Sequence, residues 1–264
     1  MSIKQVAVVT KFHTRDLRQT SRHTHRDTLK KVLKTLDTLH IAHTRIDRVQ
    51  FKKIIDADLV ITVGGDGTVL AASHFVKKTP IFGINSAPQT STGYLCVAQP
   101  KNFEHLLKQI VQGQRKPLSI PRLEVSVDGQ KIPYLGLNDL LFACRLQGET
   151  ARYFLQVGRN KEFQKSSGVW IATGAGSTAA IFSAGGKPFS MASKKLEYWV
   201  REPFQYKNRY HLVRGFVKPG TSITLLPDMH QAMIFIDGGK IHYHVPKNAR
   251  ITVRGGIKPL ALFL

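Results

Sequence analysis

The amino-acid sequence predicts an α/β domain followed by a β-rich domain. Across residues 1–115, short apolar runs alternate with helical patterns, which is typical of parallel strands joined by helices. Later strands follow one another across Asp-Gly dipeptides, which is typical of antiparallel hairpins. Gly113, Lys116 and the two prolines Pro117 and Pro121 break the helical pattern, which places the domain boundary near Arg115 to Pro121. We therefore expect domains of residues 1–115 and 116–264, with the extreme C-terminus able to return to the first.

The first domain is predicted to contain buried strands and amphipathic helices in alternation. Leucines and a valine recur at helical spacing between Leu29 and Leu39, and a second apolar stripe runs from Phe103 to Val111. A further helix is expected to begin near Thr68. The expected strands are residues 6–9, 59–63 and 81–84.

The second domain is predicted to be built from short strands of a β-sandwich-like fold. Asp128-Gly129 separates strands at residues 123–127 and 131–135, and Asp237-Gly238 separates strands at 233–236 and 241–245. Additional strands are expected at residues 153–157, 212–217, 223–226 and 251–253.

Composition excludes several classes of protein. The chain has 264 residues, of which 42% are hydrophobic, enough for a sizeable core and against disorder or a disulfide scaffold. Two cysteines, Cys96 and Cys144, disfavour redox and metal-thiolate functions. The sequence has neither a membrane-spanning apolar run nor the features of a signal peptide, so we expect a cytoplasmic protein that does not enter a membrane.

The charge is strongly positive, with 39 Lys and Arg against 17 Asp and Glu and a net charge of +22. So basic a protein attracts polyanions, nucleotides or acidic surfaces. Part of the excess lies in one N-terminal cluster, which is either the solvated face of an amphipathic helix or an anion-binding surface; the segment alone does not separate the two. The cluster comprises Arg15, Arg18, Arg22, Arg26, Lys30, Lys31 and Lys34.

The most informative motif is a glycine-rich turn that follows a buried strand. It contains Gly64, Gly65, Asp66, Gly67 and Thr68 at a helix entrance. Glycines let the backbone approach a phosphate, and the helix supplies unpaired N–H groups, so the turn is a candidate nucleotide site. A carboxylate there would repel phosphate unless it handles a metal or a proton, which makes Asp66 a candidate general base. The alternative is a tight turn with Asp66 as a helix cap.

A second glycine segment spans residues 166–180. Gly174, Gly176 and Ala179 fit the G-x-G-x-x-A pattern of a dinucleotide fingerprint, but the match is weak inside a β-rich half, and Glu197 is the one acid at roughly the required distance. The same small residues suit close contact with a ribose or phosphate.

Four segments together resemble the NAD kinase family. They are the turn at residues 64–68, Ser91-Thr-Gly-Tyr-Leu95, Leu137-Asn-Asp139 and the stretch from Gly174 to Gly186, in this order and at these spacings. The resemblance implies a Rossmann-like nucleotide-binding domain, a β-rich domain, and an active site in the cleft between them. It also implies phosphorylation by ATP of the adenosine ribose 2′-hydroxyl of NAD or NADH, giving NADP(H).

The resemblance also implies roles for individual residues. Asp66 would be the general base, and Gly67 would contact the substrate. Polar residues of the second domain would bind the dinucleotide near its adenine, ribose and nicotinamide. The implied nucleotide-binding residues are Gly64, Gly65, Gly67, Thr68, Asn138, Asp139, Lys165, Ser167, Thr178, Ala179 and Ser183.

Three departures from most of the family point to its plant-type branch, which prefers NADH. Asp139 stands where most members have Glu, Ser167 where they have Asp, and Ala180 where they have Tyr. Loss of a carboxylate near the nicotinamide removes an attraction for the positively charged oxidised ring. NADH preference is therefore a hypothesis from the sequence.

The resemblance further implies Mg²⁺ or Mn²⁺ with the ATP, and a homodimer or homotetramer. Two other functions stay open on the sequence alone: a lipid or sphingoid-base kinase that shares the glycine turn, and a non-catalytic polyanion- or nucleotide-binding protein. Nucleic acid is disfavoured because no alternating basic and aromatic motif is present. His242 and His244 share a strand face, but a solvent-facing pair is favoured over a metal site.

Overall fold

The computed structural model describes residues 3–11, 19–49, 53–205 and 209–264, without the side chains of residues 19 and 20. Two members of the basic cluster, Arg15 and Arg18, lie outside the described residues. The chain divides into two compact units, one of residues 1–119 with 260–264 and one of residues 120–259.

The first unit contains a parallel sheet with strand order β2-β1-β3-β4. The last residues of a long strand, β16, add to it beside β4, where Leu262 pairs with Ile81 and Phe263 with Phe82. The elements are β1 Gln5–Thr10, α1 Gln19–Thr38, β2 Ala42–Asp47, β3 Leu59–Gly64, α2 Asp66–Ser73, β4 Ile81–Asn85, α3 Phe103–Val111 and β16 Ile251–Phe263.

The core of this unit explains why these segments form strands and helices. β3 and β4 are buried along almost their whole length, as expected of parallel strands covered on both faces. Leu36 of α1 and Leu107 of α3 pack with the strand residues in one apolar cluster. Each fully buried aliphatic side chain of this kind contributes about 1.5–3 kcal/mol to stability.

The second unit is a β-sandwich. One sheet has the strand order β16-β13-β8-β9, with β5 beside β16 and β6, and the other has the order β12-β11-β10-β7-β14-β15. Phe142 of one sheet meets Tyr153 of the other with ring centroids 4.8 Å apart. The remaining elements are β5 Leu118–Val127, β6 Gln130–Lys131, β7 Asp139–Cys144, β8 Ala151–Val157, β9 Asn160–Ser166, β10 Gly168–Ala172, a 3₁₀ helix Ala175–Thr178, α4 Ala180–Ser183, β11 Leu196–Arg201, β12 Arg214–Val217, β13 Ile223–Pro227, β14 Ala232–Ile236 and β15 Ile241–Val245.

The predicted fold class, an α/β domain and a β-rich domain, is confirmed. Several predicted elements differ from the structure in their bounds: the strand expected at 212–217 begins at Arg214, and the one expected at 251–253 continues to Phe263. The strand expected at 131–135 shrinks to Gln130–Lys131, because Pro133 cannot donate to a strand ladder. The helix expected near Thr68 begins two residues earlier, at Asp66.

The basic face of α1 is solvated. Lys30, Lys31 and Lys34 are exposed, whereas Val32 and Leu36 of the same helix are buried. This is the arrangement that the amphipathic interpretation of the cluster predicts. No helix in the described part of the chain is both long and apolar enough to cross a membrane.

A buried histidine ties α1 to two strand ends of the first sheet. The His25 ring bonds through Nε2 to the Thr10 hydroxyl at 3.0 Å and through Nδ1 to the Ser86 hydroxyl at 2.9 Å. Burial lowers the pKa of His25 below its ordinary value of 6.5, and the positive charges of Arg48 and Lys11 act in the same direction. The folded protein therefore favours the neutral imidazole.

We predict that His25 makes stability depend on pH. A lowered folded pKa means that its contribution is complete above pH 6.5 and is lost as pH falls below that value, because the unfolded chain then binds the proton more readily. His25→Gln should cost about 1–3 kcal/mol at pH 7.5 and less at pH 5. Urea unfolding at both pH values measures this difference.

The matched control is His23→Gln, since His23 is exposed on the same helix and bonds only at the surface to Asp27. It should change stability little at either pH. An equal cost of His25→Gln at pH 7.5 and pH 5 would contradict the prediction.

Candidate functional site

The glycine turn joins the carboxyl end of β3 to α2. Gly64 and Gly65 leave the strand, and a side chain on Gly65 would meet the Ser91 hydroxyl. The first N–H groups of a helix have no partner within it. The N–H of Thr68 donates to the carbonyl of Gly65 at 2.8 Å. Those of Asp66 and Gly67 have no hydrogen-bond partner among the described residues, and Gly67 is exposed.

Asp66 is the first residue of α2, and its carboxylate is held from the neighbouring loop. The N–H of Leu95 donates to Oδ1 at 2.7 Å and the N–H of Tyr94 to Oδ2 at 3.1 Å. The helix makes no side-chain cap bond, so the alternative of Asp66 as a helix cap is wrong. The half-exposed carboxylate is oriented by backbone, and each oxygen keeps a lone pair for a further partner.

The loop that orients Asp66 is itself built on β4. The amide of Asn85 donates to the carbonyl of Ser91 at 2.9 Å and accepts the N–H of Ala87 at 3.2 Å. Gly93 has a φ of +67°, and a side chain there would run into the amide of Asn85. The N–H of Ser86 donates to Gly64 at 3.0 Å, so the loop and the glycine turn are connected. These contacts explain the Ser-Thr-Gly-Tyr-Leu segment physically.

Arg48 lies over the glycine turn, a role that no sequence pattern indicated. Its Nη1 is 3.4 Å from the Thr68 hydroxyl and comes equally close to the position of a side chain on Gly67. Its Nε is buried with no hydrogen-bond partner among the described residues. A cation at the positive end of a helix is unfavourable unless an anion joins it. A single Arg that follows an exposed edge strand belongs to no motif, so the sequence does not indicate that it is part of a site.

In the second unit, Asn138 and Asp139 are held by a carboxylate from a hairpin turn. Asp237 accepts the N–H of Leu137 at 2.7 Å, of Asn138 at 2.7 Å and of Asp139 at 3.0 Å. The sequence indicated Asp237 only as part of a turn between strands. The amide oxygen of Asn138 is buried without a hydrogen-bond partner in the described part of the chain, so it can accept from a ligand.

Asp139 is 5% exposed. Burial raises its pKa to about 7, and the nearby charge of Asp237 adds to the effect. Near neutral pH, Asp139 therefore carries a proton in much of the population and can donate a hydrogen bond, which an ionised carboxylate cannot.

The second glycine segment packs directly on this pair. The N–H of Thr173 donates to the Asn138 carbonyl at 2.8 Å, and a side chain on Gly176 would overlap that same carbonyl oxygen. Ser177 is buried, and its hydroxyl donates to Gly174 at 2.8 Å. The glycines thus serve close backbone packing beside Asn138. Thr178 and Ala179, which follow Ser177 in the chain, are half-buried, and Ser183 is exposed on α4.

Lys165, in β9, and Ser167 lie near the start of β10, whereas Thr173 follows its end. Ser167 and Thr173 are six positions apart, or roughly 20 Å of extended chain. Both side chains are half-exposed, and their backbones bond to Phe204 and Arg201. No hydrogen bond of the described residues links them to Asn138 or Asp139.

Glu197 supports the segment after α4. It is 3% exposed on β11, and its carboxylate accepts the N–H of Lys187 at 3.0 Å. Burial raises its pKa. A side chain on Gly186 would touch the same carboxylate, so Glu197 acts on the local backbone.

No cluster of three or more His, Cys, Asp or Glu suited to a metal occurs among the described residues. His242 and His244 are exposed, and each bonds to a backbone carbonyl, of Gly239 at 2.9 Å and of His230 at 2.7 Å. The two cysteines are free.

Comparison with known proteins agrees with this geometry. Residues 4–115 match the ATP-NAD kinase N-terminal domain family. A rice protein named "Probable NADH kinase" is 32% identical over 264 aligned positions, which cover 91% of this chain and 81% of the rice protein. The Arabidopsis thaliana "NADH kinase" is 31% identical over 235 positions, covering 80% and 74%.

Two solved structures have the same fold. A crystal structure of an NAD kinase from Archaeoglobus fulgidus in complex with ATP superposes with a TM-score of 0.77 at 25% identity, covering 98% of this chain and 93% of that one. The yeast NADH kinase complexed with NADH gives a TM-score of 0.80 at 17% identity, covering 100% and 84%.

A glycine turn with a carboxylate at its centre in one unit, together with an Asn-Asp pair in the other, is typical of a nucleotide-dependent phosphotransferase. The extent of identity then specifies which one: the chain belongs to the NAD kinase family.

We predict that Gly176→Ala destabilises the second unit by about 2 kcal/mol or more, because the new methyl group would displace the backbone of Asn138. Urea unfolding of the purified variant measures the loss. Gly148→Ala is the control, since a side chain there meets nothing within 4 Å. Equal stabilities for the two variants would show that the segment tolerates a side chain at position 176.

Proposed function

We propose that this protein is an ATP-dependent NAD(H) kinase that phosphorylates the adenosine ribose 2′-hydroxyl, with Asp66 as general base. The observation that carries the proposal is the Asp66 carboxylate, half-exposed at the glycine turn and oriented by the N–H groups of Tyr94 and Leu95. Membership in the NAD kinase family supports the reaction and ATP as donor.

In the proposed reaction, Asp66 takes the proton of the 2′-hydroxyl as that oxygen attacks the γ-phosphorus of ATP. The new O–P bond forms while the bond to the β-phosphate oxygen breaks, and ADP leaves. A ribose hydroxyl is a poor nucleophile, so a positioned base contributes about 10²–10⁴ in rate. The two backbone bonds hold the carboxylate in one orientation before substrate binds.

The donor phosphates would be held by the glycine turn and Arg48. The N–H groups of Asp66 and Gly67 and the Arg48 guanidinium over them form a positive surface, which suits phosphate oxygens. A divalent cation bound to the ATP phosphates would neutralise part of the charge that develops.

The dinucleotide would be held by Asn138 and Asp139 of the second unit. The unpaired amide oxygen of Asn138 accepts a hydrogen bond, and protonated Asp139 donates one, which matches the mixed donors and acceptors of a ribose and an adenine. Thr178 and Ala179 follow in the adjoining segment. Ser183, Lys165 and Ser167 stay predictions from the family resemblance.

We predict that Asp66→Asn lowers kcat by at least about 10²-fold with nucleotide binding largely retained, because the amide cannot accept the hydroxyl proton. A coupled assay of NADP(H) formation with ATP and Mg²⁺ measures turnover, and calorimetry measures binding. Near-normal turnover would remove Asp66 from the proposed role.

Asp58→Asn is the matched control. The Asp58 carboxylate also accepts two backbone N–H bonds, from Lys4 at 2.8 Å and Gln5 at 2.9 Å, but it precedes β3, whereas Asp66 follows it. Its removal should leave kcat within a factor of about two, since no reacting group lies at that end of the strand.

NADH is the proposed preferred acceptor. The rice and Arabidopsis relatives are named NADH kinases. Ser167 replaces the carboxylate of most members, and its neighbour Lys165 is a cation. Since the oxidised nicotinamide ring is positive and the reduced ring is neutral, this arrangement favours NADH.

We predict that kcat/KM is higher for NADH than for NAD, and that Ser167→Asp moves the ratio toward NAD by about fivefold, the effect of about 1 kcal/mol of attraction in water. Ser167→Asn is the neutral control of the same shape. If the ratio of kcat/KM for NADH and NAD were unchanged in Ser167→Asp, Ser167 would not determine the choice of substrate.

The lipid-kinase and polyanion-binding alternatives are not favoured, because the family match extends through both units. Assembly as a homodimer or homotetramer is a proposal from the family resemblance, and light scattering of the purified protein tests it. Cytoplasmic location stays a prediction that cell fractionation tests.

A further inference from the structure

The strongest feature that the proposed reaction leaves unused is the carboxylate of Asp237. One side chain accepts three consecutive backbone N–H groups, at 2.7, 2.7 and 3.0 Å, from residues about 100 positions earlier in the chain. Hydrogen bonds to an ionised acceptor are about twice as strong as neutral ones. Residues 137–139 are therefore held against the turn between β14 and β15.

The held segment is the one that presents Asn138 and Asp139. Its other side packs on Thr173 and Gly176, so its backbone is fixed from both directions. The N–H of Asp237 closes the loop by donating to the carbonyl of Asp139 at 3.0 Å. A shift of the turn would move both proposed ligand-binding side chains together.

Asp237 also acts on Asp139 through charge. Burial is the main cause that raises the pKa of Asp139, and the Asp237 carboxylate adds to it. Arg122 of β5, which is buried, is attracted to Asp237 and partly offsets its charge. With Arg122 present, the pKa of Asp139 is still raised to about 7.

We propose that Asp237 is a positioning residue for the dinucleotide, whose carboxylate fixes the backbone of residues 137–139 and whose charge adds to the burial that disfavours ionisation of Asp139. The inference rests on the proposed function of Asn138 and Asp139. It adds a residue outside the family motifs on which the site was recognised, and it makes dinucleotide affinity sensitive to pH around neutrality.

The chain contains a matched control in its other Asp-Gly hairpin turn. Asp128 has a φ of +49° and Asp237 a φ of +50°. The Asp128 carboxylate likewise accepts a backbone N–H from a distant residue, Arg250, at 2.7 Å. Asp128 differs from Asp237 in the segment that it holds, because Arg250 is not part of the proposed site.

The test measures NADH binding without ATP, by titration of the dihydronicotinamide fluorescence between pH 5.5 and 8.5. In the wild type, the affinity should fall as pH rises through about 7, because Asp139 loses its proton. Asp237→Asn keeps one acceptor oxygen and should weaken NADH about tenfold. Its pH midpoint should also move lower, because a negative neighbour is gone.

Asp128→Asn should keep the wild-type affinity and midpoint although it also loses a turn contact. Asp139→Asn gives a second readout that does not depend on the fold of the Asp237 variant: a permanent neutral donor should make the affinity independent of pH in this range. An Asp237→Asn protein with wild-type affinity and midpoint would overturn the proposal. So would a pH dependence that persists in Asp139→Asn.

Failure of the proposed function has a different signature. If the wild type neither binds NADH nor forms NADP(H), the assignment of the reaction is wrong. If the wild type binds NADH and the Asp237 variant is indistinguishable from it, only the positioning role is wrong.

Discussion

Carboxylates that accept backbone N–H groups hold this molecule's functional segments in place. Asp66 has its orientation from two amides of the loop after β4, and Asn138 and Asp139 have theirs from Asp237. Such bonds are stronger than neutral ones and need a backbone that presents adjacent N–H groups. The turns at Gly93 and at Asp237 have a positive φ, and the loop geometry at both depends on it.

The same use of acids affects how the charge of +22 is distributed. The chain has 17 acids, and several of them bind backbone where they could have paired with Lys or Arg. These are Asp58, Asp66, Asp128, Glu162, Glu197 and Asp237. The 39 basic residues far outnumber the acids, and they give the protein a positive field that attracts two acidic substrates.

The sequence was sufficient for the fold class and for the glycine turn that carries Asp66, because buried strands and a glycine turn have strong local signals. It did not reveal β2 or β9, whose polar edge-strand sequences lack an apolar pattern. It also did not reveal Arg48 or Asp237. Their roles depend on neighbours 20 and about 100 residues away, and no local pattern records such a contact. The capping interpretation of Asp66 was wrong for the same reason, since its partners come from Tyr94 and Leu95.

The last strand has a consequence for synthesis of the protein. The sheet of the first unit includes Leu262 and Phe263, which are separated from the rest of that unit by residues 120–259. During synthesis, the glycine turn therefore leaves the ribosome long before β16, which completes the sheet of the first unit, has been made. The edge of β4 meanwhile exposes unpaired N–H and carbonyl groups, which invite pairing with other chains. The sheet of the first unit can therefore be completed only after the second unit has been synthesised.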